Sequence, residues 1–146
     1  MKFSKMHSPG YLANHMARLF ALGLAPRIKP LGITPGQFPA LLELFEKDGQ
    51  TQKELVGKLD IEQATLANTL ARMERDGLVV RREHPSDARA KTIHLTKKAK
   101  DIKAEAVQAA RAQNEEALAR LTDAERVQFV DLMRRVVETM KATDTR

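Results

Sequence analysis

Residues 51–95 read TQKELVGKLDIEQATLANTLARMERDGLVVRREHPSDARAKTIHL. In the first half of this stretch, apolar side chains recur at helical spacing in two groups: Leu55, Val56 and Leu59, then Leu66, Leu70 and Met73. Asp60 separates the two groups and Gly77 ends the second, so the pattern predicts two short helices joined by a tight turn. Such a pair is a helix-turn-helix, with its second helix over about residues 62–76.

The pattern changes after Gly77 from helical spacing to strand formers. Residues 78–82 and 91–95 are runs that favour strands, and residues 83–90 between them are rich in turn formers. The sequence therefore predicts a two-stranded β-hairpin with a long tip, a wing over about residues 78–95. A helix-turn-helix followed at once by this hairpin is the layout of a winged helix-turn-helix.

Further helices are predicted on both sides of this region. A Thr followed three residues later by Gln or Glu indicates a capped helix start at three places: Thr34 with Gln37, Thr51 with Glu54, and Thr122 with Glu125. Another helix begins near Ser8-Pro9, and Pro26 should end or kink it. No Pro or Gly occurs from Thr96 to Leu121, which favours one long helix there. The predicted fold class is mainly α with a minor β part.

The terminal helices carry more apolar residues than one small lobe can cover. These residues are Leu12, Met16 and Leu19, then Val107, Leu118 and Leu121, then Phe129, Leu132, Val136 and Met140. A self-complementary interface between two copies of the chain would bury them. We therefore predict an N-terminal dimerisation helix in residues 1–33, a winged helix-turn-helix in residues 34–96, and C-terminal dimerisation helices in residues 97–146, within a single structural domain overall.

The composition narrows the classes of protein that this chain can be. It has 146 residues, 42% of them hydrophobic and 30% charged, which is typical of one folded domain. It contains no Cys, which excludes disulfides, Cys-ligated metals and thiol-based sensing. We find no signal peptide and no apolar run of membrane-spanning length, so we expect a cytoplasmic protein with no membrane partner.

The positive charge is concentrated in one segment. The formal net charge is +6, and residues 81–103 alone contain 8 Lys or Arg against 3 Asp or Glu. A local excess of this kind is typical of a nucleic-acid partner, and the alternative is an ordinary solvated face.

Two sets of residues are candidates for contact with double-stranded DNA. On the second helix, the residues outside its apolar face are Gln63, Ala64, Thr65, Asn68, Thr69 and Arg72. Gln and Asn can pair with adenine, Thr can meet a phosphate or a thymine methyl group, and Ala allows the backbone to come close. In the wing, the candidates are Arg82, Asp87, Arg89 and Lys91. An arginine there could enter the minor groove, where the negative potential is high.

Taken in order, these motifs resemble the MarR family of bacterial transcriptional regulators. The resemblance rests on Leu31-Gly32-Ile33-Thr34, Gln37-Phe38, Glu54-Leu55, the run from Thr65 to Val79, Asp87-Ala88-Arg89 and Leu95-Thr96. It implies a homodimer whose terminal helices pack together and whose two lobes bind a pseudo-palindromic operator. It also implies that Arg89 is the wing arginine and that Asp87 orders the turn. Ala88 departs from the family pattern, because many relatives carry an Arg there, and this implies fewer phosphate contacts.

The resemblance and the motifs together predict a sequence-specific transcriptional regulator, a repressor that a small-molecule effector releases from its operator. An aromatic or anionic effector would bind without a covalent bond, and the candidate pocket residues are His15, Leu19, Phe38 and Phe45. Neither a metal site, a cofactor nor a catalytic constellation is indicated, so we do not expect an enzyme. Two alternatives stay open: a non-specific architectural DNA-binding protein, and a winged-helix protein-interaction module.

Overall fold

The computed structural model describes residues 2–143, and that range is mainly helical with one small sheet. The helices are α1 (Pro9–Ile28), α2 (Phe38–Glu46), α3 (Gln52–Leu59), α4 (Gln63–Arg75), α5 (Lys97–Asp101), α6 (Lys103–Ala117) and α7 (Asp123–Ala142). The strands are β1 (Gln50–Thr51), β2 (Val79–His84) and β3 (Asp87–Leu95). Two short 3-10 turns lie at Lys5–His7 and Lys29–Leu31. The chain divides between Ala110 and Arg111 into two compact units, which we describe separately. None of the described helices is long and apolar enough to span a membrane.

Four of the described helices, α1, α3, α5 and α7, begin with a hydroxyl cap. Thr51 and Thr122 each form a complete capping box with the Glu three residues later, as the sequence predicts. At the start of α1, the Ser8 hydroxyl accepts a hydrogen bond from the Tyr11 amide at 3.3 Å. Beyond Pro26, α1 continues for two residues and ends at Ile28.

The helix start predicted at Thr34 is wrong by about one turn. Helix α2 begins at Phe38, and residues 35–37 form a turn instead. The reason is Pro39, which has no N–H to donate to the Pro35 carbonyl, so the first turn cannot close as an α-helix. Half of the predicted capping box remains, because the Gln37 side-chain oxygen accepts a hydrogen bond from the Thr34 amide at 3.1 Å.

The single long helix predicted from Thr96 to Leu121 is also wrong. Helix α5 ends at Asp101 and α6 begins at Lys103, with Ile102 between them at φ −93° and ψ 0°. Ile102 packs against the hydrophobic core beside the buried Ala99 and Ala106. At the other end, α6 stops at Ala117, because the Arg126 guanidinium binds the Leu118 and Leu121 carbonyls that a continuing helix would use.

The sheet has three antiparallel strands in the order β1-β3-β2, whereas the sequence predicts two. The third strand, β1, has two residues, with Gln50 opposite Ile93 and Thr51 opposite Thr92. The long hairpin tip predicted over residues 83–90 is wrong, because β2 continues to His84 and β3 begins at Asp87. Glu83 pairs with Lys91 and His84 with Asp87, so the register shifts and residues 88–90 form a bulge.

The hydrophobic core of the first unit lies between α2, α3, α4 and the base of the hairpin. Its fully buried side chains include Leu41, Leu44, Leu55, Leu66, Leu70, Met73, Leu78 and Ile93. Gly77 connects α4 to β2 with a positive φ of 75°, and the Leu78 amide donates to the Met73 carbonyl at 2.9 Å. This is a glycine-terminated helix end, and it leads directly into the first strand of the wing.

Candidate nucleic-acid interface

Helix α4 presents one face to the core and the other to solvent. Leu66, Leu70 and Met73 are completely buried. All six helix residues predicted to contact DNA lie outside this buried set; Gln63, Ala64, Thr65, Asn68 and Arg72 are exposed and Thr69 is half-buried. The buried leucines hold the helix against the lobe, and the polar side chains of the other face are accessible to a partner.

Two hydrogen bonds define how the N-terminal half of α4 is presented. The Thr69 hydroxyl donates to the Thr65 carbonyl at 3.0 Å, so its methyl group and its oxygen lone pairs are left for a partner. The Gln52 side-chain amide donates to the Gln63 carbonyl at 3.4 Å. This bond ties the start of α3 to the start of α4 and orients the two helices of the helix-turn-helix.

The tip of the wing is ordered by its own side chains. The Asp87 carboxylate accepts a hydrogen bond from the Arg89 amide at 3.0 Å, and the same oxygen lies 3.6 Å from the Arg89 Nε. The Ser86 amide donates to His84 Nδ1 at 3.0 Å. The Arg89 side chain is 95% exposed, and an exposed ion pair of this kind contributes less than about 1 kcal/mol. Its guanidinium can therefore leave Asp87 for a phosphate or a base edge at little cost.

The other two wing candidates lie on the strands. Arg82 is exposed on β2, and its carbonyl accepts a hydrogen bond from the Thr92 hydroxyl at 3.4 Å. Lys91 on β3 pairs across the hairpin with Glu83, with 3.8 Å between Lys91 Nζ and Glu83 Oε1. Both cations lie on the same hairpin as Arg89, so the wing carries a group of positive charges.

Some of the lysines in the positive segment, residues 81–103, contact groups of this chain. The number of charges in the segment did not distinguish them from the lysines and arginines available to a partner. Lys97 Nζ binds Asp101 at 2.9 Å, and Lys98 Nζ donates to the Asp76 carbonyl at 2.9 Å. Lys103 Nζ lies 5.8 Å from the centre of the Phe45 ring. Lys98 and Lys103 therefore act within the first unit, whereas Lys97 is 89% exposed and forms only a pair on its own helix.

A polar junction at the end of α4 was missed by the sequence analysis. The Gln37 amide nitrogen donates to Asp76 Oδ2 at 2.9 Å, and Arg75 Nε lies 3.3 Å from Asp76 Oδ1. The Gln37 side chain is buried. The hydrogen bond from Gln37, with the adjacent Arg75, holds the pKa of Asp76 below its ordinary value. The junction joins the start of α2 to the end of α4, and it connects residues 39 positions apart.

We expect this junction to make the stability of the lobe depend on pH. Because the folded-state pKa of Asp76 is lowered, its contribution is complete above the ordinary pKa of about 4 and is lost as the pH falls toward the folded-state value. The variant Asp76→Asn should therefore lose less stability between pH 6 and pH 3 than the wild type. Urea unfolding at a series of pH values measures this, and parallel curves for the two proteins would contradict it.

The four residues proposed for an effector pocket have different environments. His15 and Leu19 are exposed on α1, and the His15 ring lies 6.1 Å from the Tyr11 ring in an edge-on arrangement. Phe38 is 4% exposed within the core, and Phe45 is half-buried below Lys103. In residues 2–143, no cluster of three or more His, Asp or Glu side chains is placed to hold a metal ion.

Comparison with known proteins identifies relatives of this chain. The model of the MarR family matches residues 33–91, from the turn before α2 into β3. The transcriptional regulator HosA of Escherichia coli O157:H7 is 35% identical over 107 residues, which are 73% of this chain and 79% of HosA. A relative from Thauera aromatica, named as a regulatory protein for the hcr operon, is 30% identical over 72% of this chain but only 63% of its own length. These relatives are transcriptional regulators, a class without enzymatic activity.

Solved structures share the fold over nearly the whole chain. A MarR transcriptional regulator from Methanosarcina mazei Go1 is similar with a TM-score of 0.84 and 26% identity, over 89% of this chain and 94% of that one. A Listeria monocytogenes regulator, solved with 26mer DNA, has a TM-score of 0.78 and 23% identity over 97% and 91% of the two chains. PcaV from Streptomyces coelicolor, solved with its natural ligand, has a TM-score of 0.80 and 23% identity over 94% and 97%.

Proposed function

This chain belongs to the MarR family of transcriptional regulators, and we propose that it is a homodimeric repressor that binds a pseudo-palindromic operator in double-stranded DNA. A small aromatic or anionic effector releases the repressor from the operator. We also infer that the protein acts in the cytoplasm, where it meets DNA, and that it is not an enzyme.

The observation that carries this proposal is the exposed polar face of α4 beside a hairpin that ends in an exposed arginine. A helix fits the major groove, where Gln63, Asn68 and Arg72 can read base edges. The wing arginine, Arg89, suits the minor groove, where negative potential attracts a guanidinium. The Listeria regulator solved with DNA shares this fold and supports the same use here.

A two-fold dimer is supported by apolar side chains that the single chain leaves exposed. On α1 these are Leu12, Leu19 and Leu22. Among the exposed apolar residues of α7, we assign to the interface Val130, Leu132, Met133, Val136, Val137 and Met140. Exposed apolar side chains grouped along a helix are typical of an interaction site, and a second copy of the chain would bury those of each helix. Two recognition helices about 34 Å apart would then meet successive turns of the major groove.

The effector proposal has support of a different kind. PcaV shares the fold and was solved with its natural ligand. In this chain His15 is a polar group on an exposed apolar surface of α1, and Leu19 lies one turn further along. We propose that these two residues contact the effector, with Phe38 and Phe45 as the other pocket residues.

Selection of duplexes from a random DNA pool at near-physiological salt tests the function. The wild type should enrich a palindrome, and Arg89→Ala should weaken its binding about tenfold, because a minor-groove contact is lost. Arg134→Ala on α7 is the matched control, since it removes the same charge from a position not proposed to contact DNA. Adding benzoate or hydroxybenzoates to the binding reaction tests for release by an aromatic anion.

Each other outcome favours a different function. Equal recovery of all duplexes, with a steep salt dependence, would favour a non-specific architectural DNA-binding protein. Recovery of no duplex by the protein without added effector would favour a winged-helix protein-interaction module.

A further inference from the structure

A four-residue segment, Asp48 to Thr51, holds the base of the wing; we call it the wing anchor. The Asp48 carboxylate accepts a hydrogen bond from the Leu95 amide at 2.8 Å, and the Gly49 amide donates to the Ile93 carbonyl at 3.0 Å. Gln50 and Thr51 then pair with β3 as strand β1. The Asp48 side chain therefore extends the pairing of β1 with β3 by one hydrogen bond, on the edge of β3 that β2 does not occupy.

The wing anchor is also attached to the helical core. The buried Gln50 side-chain amide donates to the Glu43 and Lys47 carbonyls, at 3.0 and 2.7 Å, and so caps the end of α2. Gly49 has a positive φ of 75°, and a Cβ added there would lie 3.1 Å from His94 Cε1. Any side chain at this position would therefore be strained and crowded against His94. The wing anchor thus transmits the position of α2 to the base of the hairpin.

The length of the hairpin makes the position of its tip sensitive to the orientation of its base. Val79 lies opposite Leu95 and His84 lies opposite Asp87, so five residues of β2 separate the base of the hairpin from its tip, which corresponds to about 17 Å. A rotation of about 5° at the base would therefore move the tip by about 1.5 Å, roughly three times the tolerance of about 0.5 Å for a precisely placed contact. A small rotation of the hairpin base at Asp48 therefore becomes a larger displacement of Arg89 at the tip.

We propose that Asp48 is a positioning residue for DNA binding, which acts through Arg89 by fixing the direction of the wing. This inference rests on the proposed function, because it concerns how the wing arginine reaches the minor groove. This role requires a hydrogen-bond acceptor for the Leu95 amide, and it does not require the negative charge of Asp48.

A simple charge effect would change the DNA affinity of an Asp48 variant in the opposite direction from the proposed positioning role. Removing a negative charge from a DNA-binding lobe should strengthen its binding to the polyanion. The proposal predicts that Asp48→Ala weakens binding about tenfold, because the Leu95 amide loses its acceptor and the wing loses its direction. Asp48→Asn keeps a side-chain oxygen for Leu95, so it should bind at least as tightly as the wild type. The direction of the two changes therefore separates a positioning role from a charge effect.

The test measures the affinity of five proteins for a duplex recovered by the wild type from the random pool. They are the wild type, Asp48→Asn, Asp48→Ala, Arg89→Ala, and the double variant Asp48→Ala with Arg89→Ala. Because Asp48 acts through Arg89, the double variant should lose about as much as Arg89→Ala alone, rather than the product of the two losses. Amide hydrogen exchange at Leu95 should be faster in Asp48→Ala and unchanged in Asp48→Asn.

Asp48 is exposed, so its removal leaves no cavity, and thermal melting checks that each variant is folded. The proposal is overturned if Asp48→Ala binds like the wild type, if Asp48→Asn is as weak as Asp48→Ala, or if the two single losses multiply. In those cases the proposed function stands, since the wild type still selects its duplex. Failure of the wild type to select any duplex would overturn both.

Discussion

The double variant Val136→Glu with Met140→Glu is expected to be a monomer that binds the selected operator about 100-fold more weakly than the wild type, or worse. Val136 and Met140 are 58% and 66% exposed on α7 and lie one turn apart on its apolar face. Carboxylates at these positions would have to be buried in the dimer, which is unfavourable without a partner cation. A monomer meets one half-site at a time, so it loses the gain from binding two linked sites.

Val127→Glu is the matched control for this prediction. Val127 is 72% exposed, and nine residues, or two and a half helical turns, separate it from Val136. The two side chains therefore leave α7 on opposite sides. Light scattering should report a dimer for Val127→Glu and a monomer for the double variant. A dimeric double variant with normal operator affinity would show that this face of α7 is not the interface.

The sequence predicted the elements whose pattern is local. In α4, Leu66, Leu70 and Met73 follow the helical period, so both the helix and its buried face could be inferred before any contact was known. The capping boxes of α3 and α7 involve residues only three positions apart, and both are present. These features depend on neighbours along the chain, and the sequence contains that information directly.

Features that depend on distant partners were missed. Strand β1 has only two residues and is defined by its pairing with Ile93 and Thr92, which no periodicity could indicate. The tip of the wing is short because β2 and β3 pair beyond the strand formers. The contacts of Asp48 with Leu95 and of Gln37 with Asp76 connect residues 47 and 39 positions apart. The DNA-contact candidates were chosen from residue chemistry on an exposed face, and their roles remain predictions.

Leu70→Ala is expected to lower the free energy of unfolding by about 2–5 kcal/mol, because it leaves a cavity in the core. Leu70 is fully buried on the face of α4 that packs against the lobe. The stability of a typical domain is about 5–15 kcal/mol, so this single change should remove a large part of it. Urea unfolding followed by circular dichroism measures the loss. Its effect on DNA binding should follow the fraction of unfolded protein and should disappear at temperatures where the variant is fully folded.

Arg72→Ala, two residues further along the same helix, should keep the stability of the wild type and lose affinity for the operator. Arg72 is exposed, and Arg and Ala are both good helix formers, so its unfolding free energy should stay within about 0.5 kcal/mol of the wild type. Operator affinity should fall about tenfold at every temperature, because a contact to the major groove is lost from a folded lobe. If Leu70→Ala instead weakened binding while fully folded, or Arg72→Ala bound normally, α4 would not present to DNA the face that the packing of Leu66, Leu70 and Met73 leaves exposed.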